Sequence, residues 1–151
     1  MVKMKRALWI SLFVLALLVA YGFLFPSKPY GIGKDKVETL GTLAKLKFGL
    51  EAFHREYGHF PPGNLATLSR ILLGEDIGGQ NPKRIQMLPA KFRSHIDSNG
   101  NILDSWGQPL RIEYSYSNIV TISSTGRNRI DDGGRGDDMV VYAEPPPKQK
   151  P

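Results

Sequence analysis

"KVETLGTLAKLKFGLEAFHREYG", residues 36–58, sets Val37, Leu40, Leu43, Leu46, Leu50, Phe53 and Tyr57 at steps of three and four. That spacing predicts a long amphipathic helix with one apolar stripe. Asp35 is placed to cap its start and Gly58 its end, and Pro61-Pro62 prevent continuation. Glu51 and Arg55, one turn apart, are expected to pair on the outer face, for about 0.3 kcal/mol. Gly41 and Gly49 weaken the helix but leave room for close packing.

The chain downstream supplies the cover such a stripe needs. "NLATLSRILLGED", residues 64–76, reads as a short second helix, with Asn64 as N-cap and Leu65, Leu68, Ile71 and Leu72 facing inward. Residues 74–100 hold turn signals without periodicity, an irregular connection that closes on a tight turn at Asn99-Gly100. The period then changes to two. "LRIEYSYS", 110–117, alternates Leu110, Ile112, Tyr114 and Tyr116 against polar neighbours, and "NIVTISS", 118–124, is β-branched. A tight connection at Ser117-Asn118 pairs them as an antiparallel hairpin, and "MVVYAE", 139–144, is a third strand. The expected fold class is α+β: a long amphipathic helix, a short helix and a small three-stranded antiparallel sheet that buries the helix stripe on one face.

Ahead of this domain, residues 7–25, "ALWISLFVLALLVAYGFLF", carry no charge. As a helix they would span about 28 Å, close to the thickness of a bilayer's hydrocarbon core. Lys3, Lys5 and Arg6 precede the run, so residues 1–6 are expected in the cytoplasm and the rest beyond the membrane. The rival reading is a signal peptide cut near Ala20-Tyr21-Gly22; the length of the run favours a retained anchor. "PSKPYGIG", 26–33, is a linker, 34–144 the globular domain, and 145–151 an extended Pro/Lys tail.

The formal charge of +6 resembles a nucleic-acid signal until it is mapped. Residues 34–144 hold fourteen basic and fourteen acidic side chains, and the surplus lies in the flanks. No basic stripe marks the folded part, so nucleic acid is not an expected partner. Without cysteine, disulfides and thiolate metal sites are excluded. His54, His59 and His95 are scattered, with no ligand spacing for zinc. No nucleophile elbow, phosphate loop or triad pattern is present, so neither catalysis nor a small-molecule substrate is expected.

The chemistry concentrates in "RNRIDDGGRGDD", residues 127–138. Read as an EF-hand from Asp131 it fails at Gly133, Arg135 and Tyr142, and "DSNGNILD", 97–104, fails at Ile102 and Gln108. "GGRGDDMVV", 133–141, fits the calcium-binding nonapeptide, but one copy cannot build that solenoid. Glycines here can turn carbonyls inward toward a hard cation. Alternatively, Arg127, Arg129 and Arg135 pair with the acids and replace the metal.

"LDSWGQPLRI", 103–112, with "SSTGRNRIDDGGRGDDMVV", 123–141, and "AFHREYGHFPP", 52–62, resembles the globular domain of major pseudopilins of type II secretion systems. The resemblance covers about residues 36–142. It implies a calcium ion held by the loop before the last strand. Asn128 stands where the family has its first Asp, and Asp137 and Asp138 match the terminal acidic pair. Asp131 and Asp132 are further acids, Asp132 joining the expected ligand set, and the carbonyls of Thr125 and Ile130 would complete the shell. Trp106 is expected to be a structural corner with its indole over the helix end. The leader "MVKMKRALWISLF" has neither the glycine before the apolar run nor the acid within it that pseudopilins carry.

The implied function is a non-catalytic subunit of a type II secretion or type IV pilus-like apparatus. It would be anchored by one span in a bacterial inner membrane, with its domain in the periplasm. Its partners would be other pseudopilins or secretion-apparatus components. The alternative is a solitary membrane-anchored or secreted calcium-binding module that forms no filament.

Overall fold

A computed structural model describes residues 33–116 and 118–147. The apolar run 7–25, most of the 26–33 linker and the end of the tail lie outside the described residues. Among the described residues no helix is long and apolar enough to cross a membrane.

Helix α1, Lys34–Tyr57, and helix α2, Leu65–Leu72, are followed by a 3-10 helix, Ala90–His95. Strands β1, Arg111–Tyr114, β2, Val120–Ser124, and β3, Met139–Ala143, then form an antiparallel sheet in the order β1-β2-β3. The α+β arrangement is the one the two periodicities imply. The register pairs Ile112 with Ile122 and Ile122 with Val141, giving one apolar row across the sheet. Val120, Ile122, Met139 and Ala143 are buried in the same core as Leu43, Leu46, Leu50 and Phe53 of α1.

The stripe of α1 is shorter than its sequence pattern. Leu43, Leu46, Leu50 and Phe53 are fully buried, but Val37 is 56% and Leu40 38% exposed. In those first turns Thr39 and Thr42 are buried instead. Steps of three residues fall short of a turn of about 3.6 residues, so Val37 and Leu40 wind off the face that carries Leu46 and Leu50, and Thr39 and Thr42 occupy that face instead.

Asp35 does not cap the helix. The N-cap is Gly33, without a side-chain bond, and Asp35 lies in the first turn, where a carboxylate still complements the helix dipole. Glu51 does not pair with Arg55 but with Lys47, at 3.7 Å. Gly58 does close the helix, in the left-handed conformation. Gly49 does permit close packing: a Cβ there would stand 3.1 Å from Leu88 Cδ2, whereas Gly41 faces open space.

Asn64 caps α2 by accepting from the Thr67 amide at 2.9 Å, and Leu65, Leu68, Ile71 and Leu72 are buried as expected. The connection 74–100 is irregular but not loose, because it is built around Asn81, which is fully buried. Asn81 Oδ1 accepts from the Tyr57 hydroxyl at 2.6 Å and the Ile85 amide at 2.9 Å, while Nδ2 donates to the carbonyls of Ile71 and Ile85. All the bonding capacity of this amide is engaged. Asn81→Ala would strand these groups in the core, and the expected loss is roughly 3 kcal/mol. Tyr57→Phe removes one of the bonds and is expected to lose about 1 kcal/mol. Urea unfolding midpoints of the two variants measure the difference.

The turn at Asn99-Gly100 forms beside a bridge between Ile96 and Ile102, with Asp97 Oδ1 accepting from the amides of Asn99 and Asn101. The hairpin strands are shorter than predicted, and Tyr116, past the end of β1, is fully exposed. The Tyr114 hydroxyl donates to the Pro61 carbonyl at 2.6 Å, tying β1 to the chain after α1, and burial pushes the phenol up to about 12.

Candidate cation loop and the corner beneath it

The β2–β3 connection starts at Thr125, which is nearly buried. Gly126 and Asp137 clamp the mouth of the loop. At Gly126, φ is +66°, and a Cβ there would lie 2.8 Å from Asp137 Oδ2 and closer still to the Asp137 carbonyl oxygen. Only glycine permits that approach.

Inside the clamp the acids accept from main-chain amides. Asp137 Oδ2 takes the Asn128 amide at 2.8 Å, and Asp138 Oδ2 takes those of Asp132 at 2.8 Å and Gly134 at 3.0 Å. Asn128 bridges the turn, donating Nδ2 to Asp132 Oδ2 at 3.0 Å and accepting the Ile130 amide at 2.7 Å. Asp131 Oδ1 accepts from Gly133, and its Oδ2 pairs with Arg111. The Gly133 amide and then the Arg111 guanidinium hold the Asp131 carboxyl below the usual carboxylate range.

The structure thus gathers Thr125, Asn128, Asp132, Asp137 and Asp138 into one loop, with the Ile130 side chain turned out to solvent. Arg127, Arg129 and Arg135 do not neutralise it: among the described residues the loop acids' ion pair is with Arg111 of β1. The register explains this, because Arg111 lies opposite Ser123, next to the end of β2.

The fit to a cation is partial. Asp138 Oδ1 is buried and has no hydrogen-bond partner, an acceptor of the kind a cation satisfies. Asp138 and Asp131 also border an open hollow of about 390 Å³ over the outer face of the sheet, floored by Thr121, Ser123 and Val140. Yet among the described residues no three Asp, Glu or His side chains stand together as a metal-holding group.

Beneath the loop lies a corner whose central residue, Asp104, is 6% exposed. Asp104 Oδ1 accepts from the amides of Trp106 at 2.9 Å and Gln108 at 2.8 Å. Its Oδ2 accepts from Ser124 Oγ at 2.7 Å, and Ser124 Oγ in turn accepts from the Gly126 amide at 3.1 Å. The next amide, Ser105, donates to Thr39 Oγ1 of α1 at 3.0 Å. Trp106 packs partly buried against the core, and its amide is held by Asp104 at the corner. Asp104 was not singled out as a site residue by its sequence; the Asp-x-Trp-Gly pattern of "LDSWGQP" is the signal that could have done so.

His59 meets Phe53 edge-on, and His54 on Phe60 and His95 on Phe92 make tilted ring contacts. In comparison with known proteins, the chain matches no family model, no curated protein and no solved structure.

Proposed function

We propose that this chain is a membrane-anchored, non-catalytic assembly subunit of the pseudopilin kind, whose β2–β3 loop is stabilised by calcium. The observation that carries the reading is the clamped Asp/Asn/Gly loop between the last two strands of an antiparallel sheet packed on one long helix. Asn128, Asp132, Asp137 and Asp138, with the carbonyls of Thr125 and Ile130, are the residues that would hold the ion. Calcium favours this donor set of carboxylate, amide and carbonyl oxygens. Bound there, it would supply positive charge to a loop whose acids now lean on main-chain amides.

Assembly rather than a solitary module is favoured by the uncovered side of α1. Val37, Leu40 and Phe48 are exposed, and Phe48 is 65% so. Val37 and Phe48, eleven residues apart, lie on the same side of α1, opposite the buried Leu46, and exposed apolar side chains grouped on one face favour a contact surface. Residues 7–25 would provide the anchor.

A cysteine-free chain makes the test direct. Phe48→Cys or Val37→Cys in the full chain, expressed in a bacterial envelope and oxidised, is expected to give crosslinked species larger than the monomer in the membrane fraction. Ser98→Cys, in the exposed 97–100 turn, is the control. Only monomer from the helix variants, or a soluble species lacking the first residues, would refute the anchored-assembly reading.

A further inference from the structure

We propose that the Asp104 corner is a relay through which the state of the β2–β3 loop sets the order of the first turns of α1. The contacts form one unbroken path. Asp137 lies against Gly126, the Gly126 amide donates to Ser124, Ser124 donates to Asp104, and the Ser105 amide donates to Thr39. Ser124, Asp104 and Thr39 are all buried, so no link can be replaced by water without opening the structure. Ser124 has a single hydroxyl proton. It goes to Asp104, which leaves the oxygen to accept from Gly126, so each bond polarises the other.

The receiving end is weakly held by other means. The N-cap Gly33 has no side chain to bond, Val37 and Leu40 are exposed, and the buried positions of these turns are the polar Thr39 and Thr42 rather than apolar side chains. Segments with few buried apolar contacts open most readily. The Ser105–Thr39 bond is therefore a main tether of the α1 start, and it hangs on a corner whose geometry Ser124 shares with the loop. This coupling goes beyond the calcium reading and does not need it. If the loop takes up calcium, the same path would carry occupancy to the first turns of α1.

Amide hydrogen exchange on the full chain tests the relay. Asp137→Ala disturbs the loop at its mouth by leaving the Asn128 amide without its acceptor. The expected result is faster exchange, by about tenfold, at Trp106, Gln108 and Val37–Gly41, with α2 amides unchanged. Ser124→Ala alone should give the same pattern. The double variant should add nothing further at Val37–Gly41, because the path is already cut. Wild-type exchange at Val37–Gly41 in Asp137→Ala would overturn the proposal, and so would additive effects in the double variant. Uniformly faster exchange that includes α2 would also overturn it, by showing global loosening. Calcium added to the wild type separates the two readings: protection gained in the loop but not at Val37–Gly41 would overturn the relay and leave the calcium reading standing.

Discussion

Gly126→Ala is expected to lower the melting temperature by well over roughly 10 °C, while Gly133→Ala lowers it by only about 5 °C. Both glycines have φ of +66°, so the conformational strain of a side chain is the same at the two sites, about 1 kcal/mol. They differ in what surrounds them. Nothing lies within 4 Å of a Cβ at Gly133, whereas at Gly126 the Cβ would enter the Asp137 main chain. Backbone cannot step aside like the end of a flexible side chain, so the mouth of the loop must part. The added clash should raise the total to roughly 3 kcal/mol. Equal melting temperatures for the two variants would mean that the loop is not closed at Gly126.

The second large effect is expected at Asp104. Asp104→Ala removes the acceptor of two amides and one hydroxyl at once, in a site almost closed to water. At about 1–3 kcal/mol for each orphaned buried donor, partly relieved by local opening, the expected loss is roughly 3–5 kcal/mol. Asp104→Asn keeps one oxygen for the Trp106 and Gln108 amides and should lose less than half as much. Thermal or urea unfolding measures both. A difference of less than about 1 kcal/mol between Asp104→Ala and wild type would show that the corner closes without its carboxylate.

The corner also marks the boundary of what the sequence made legible. Periodicity carried most of the fold, because Leu43, Leu46, Leu50 and Phe53 on α1 and Ile112, Ile122 and Val141 across the sheet occupy faces that spacing alone defines. It failed at the margins of each pattern. Val37 and Leu40 keep the three-residue step but wind off the buried face, and Tyr116 continues the alternation past the end of β1. A local pattern does not say which face, or how much of it, the opposing layer covers.

Polar residues were hidden for a different reason. Asn81 and Asp104 sit in stretches rich in turn signals, yet each is buried at the centre of a hydrogen-bond network. Which polar side chain a turn folds inward depends on partners distant in sequence, such as Tyr57 for Asn81 and Ser124 for Asp104. The same non-locality decided the loop's ion pair. Neighbouring arginines were the obvious partners, but strand register delivered Arg111. The loop itself was visible from its Asp and Gly content, while its clamp, Gly126 against Asp137, was not.

The most direct test of the calcium-stabilised loop is a thermal melt of the full chain in calcium and in chelator, for wild type and Asp138→Asn. At a hundredfold excess over its dissociation constant a ligand adds about 2.7 kcal/mol, which should raise the wild-type melting temperature by roughly 10 °C. Asp138→Asn, which alters the carboxylate with the unpartnered buried oxygen, should lose most of that rise. Superimposable wild-type melts in millimolar calcium and in chelator would contradict the claim and leave the loop acids supported by main-chain amides, Asn128 and Arg111.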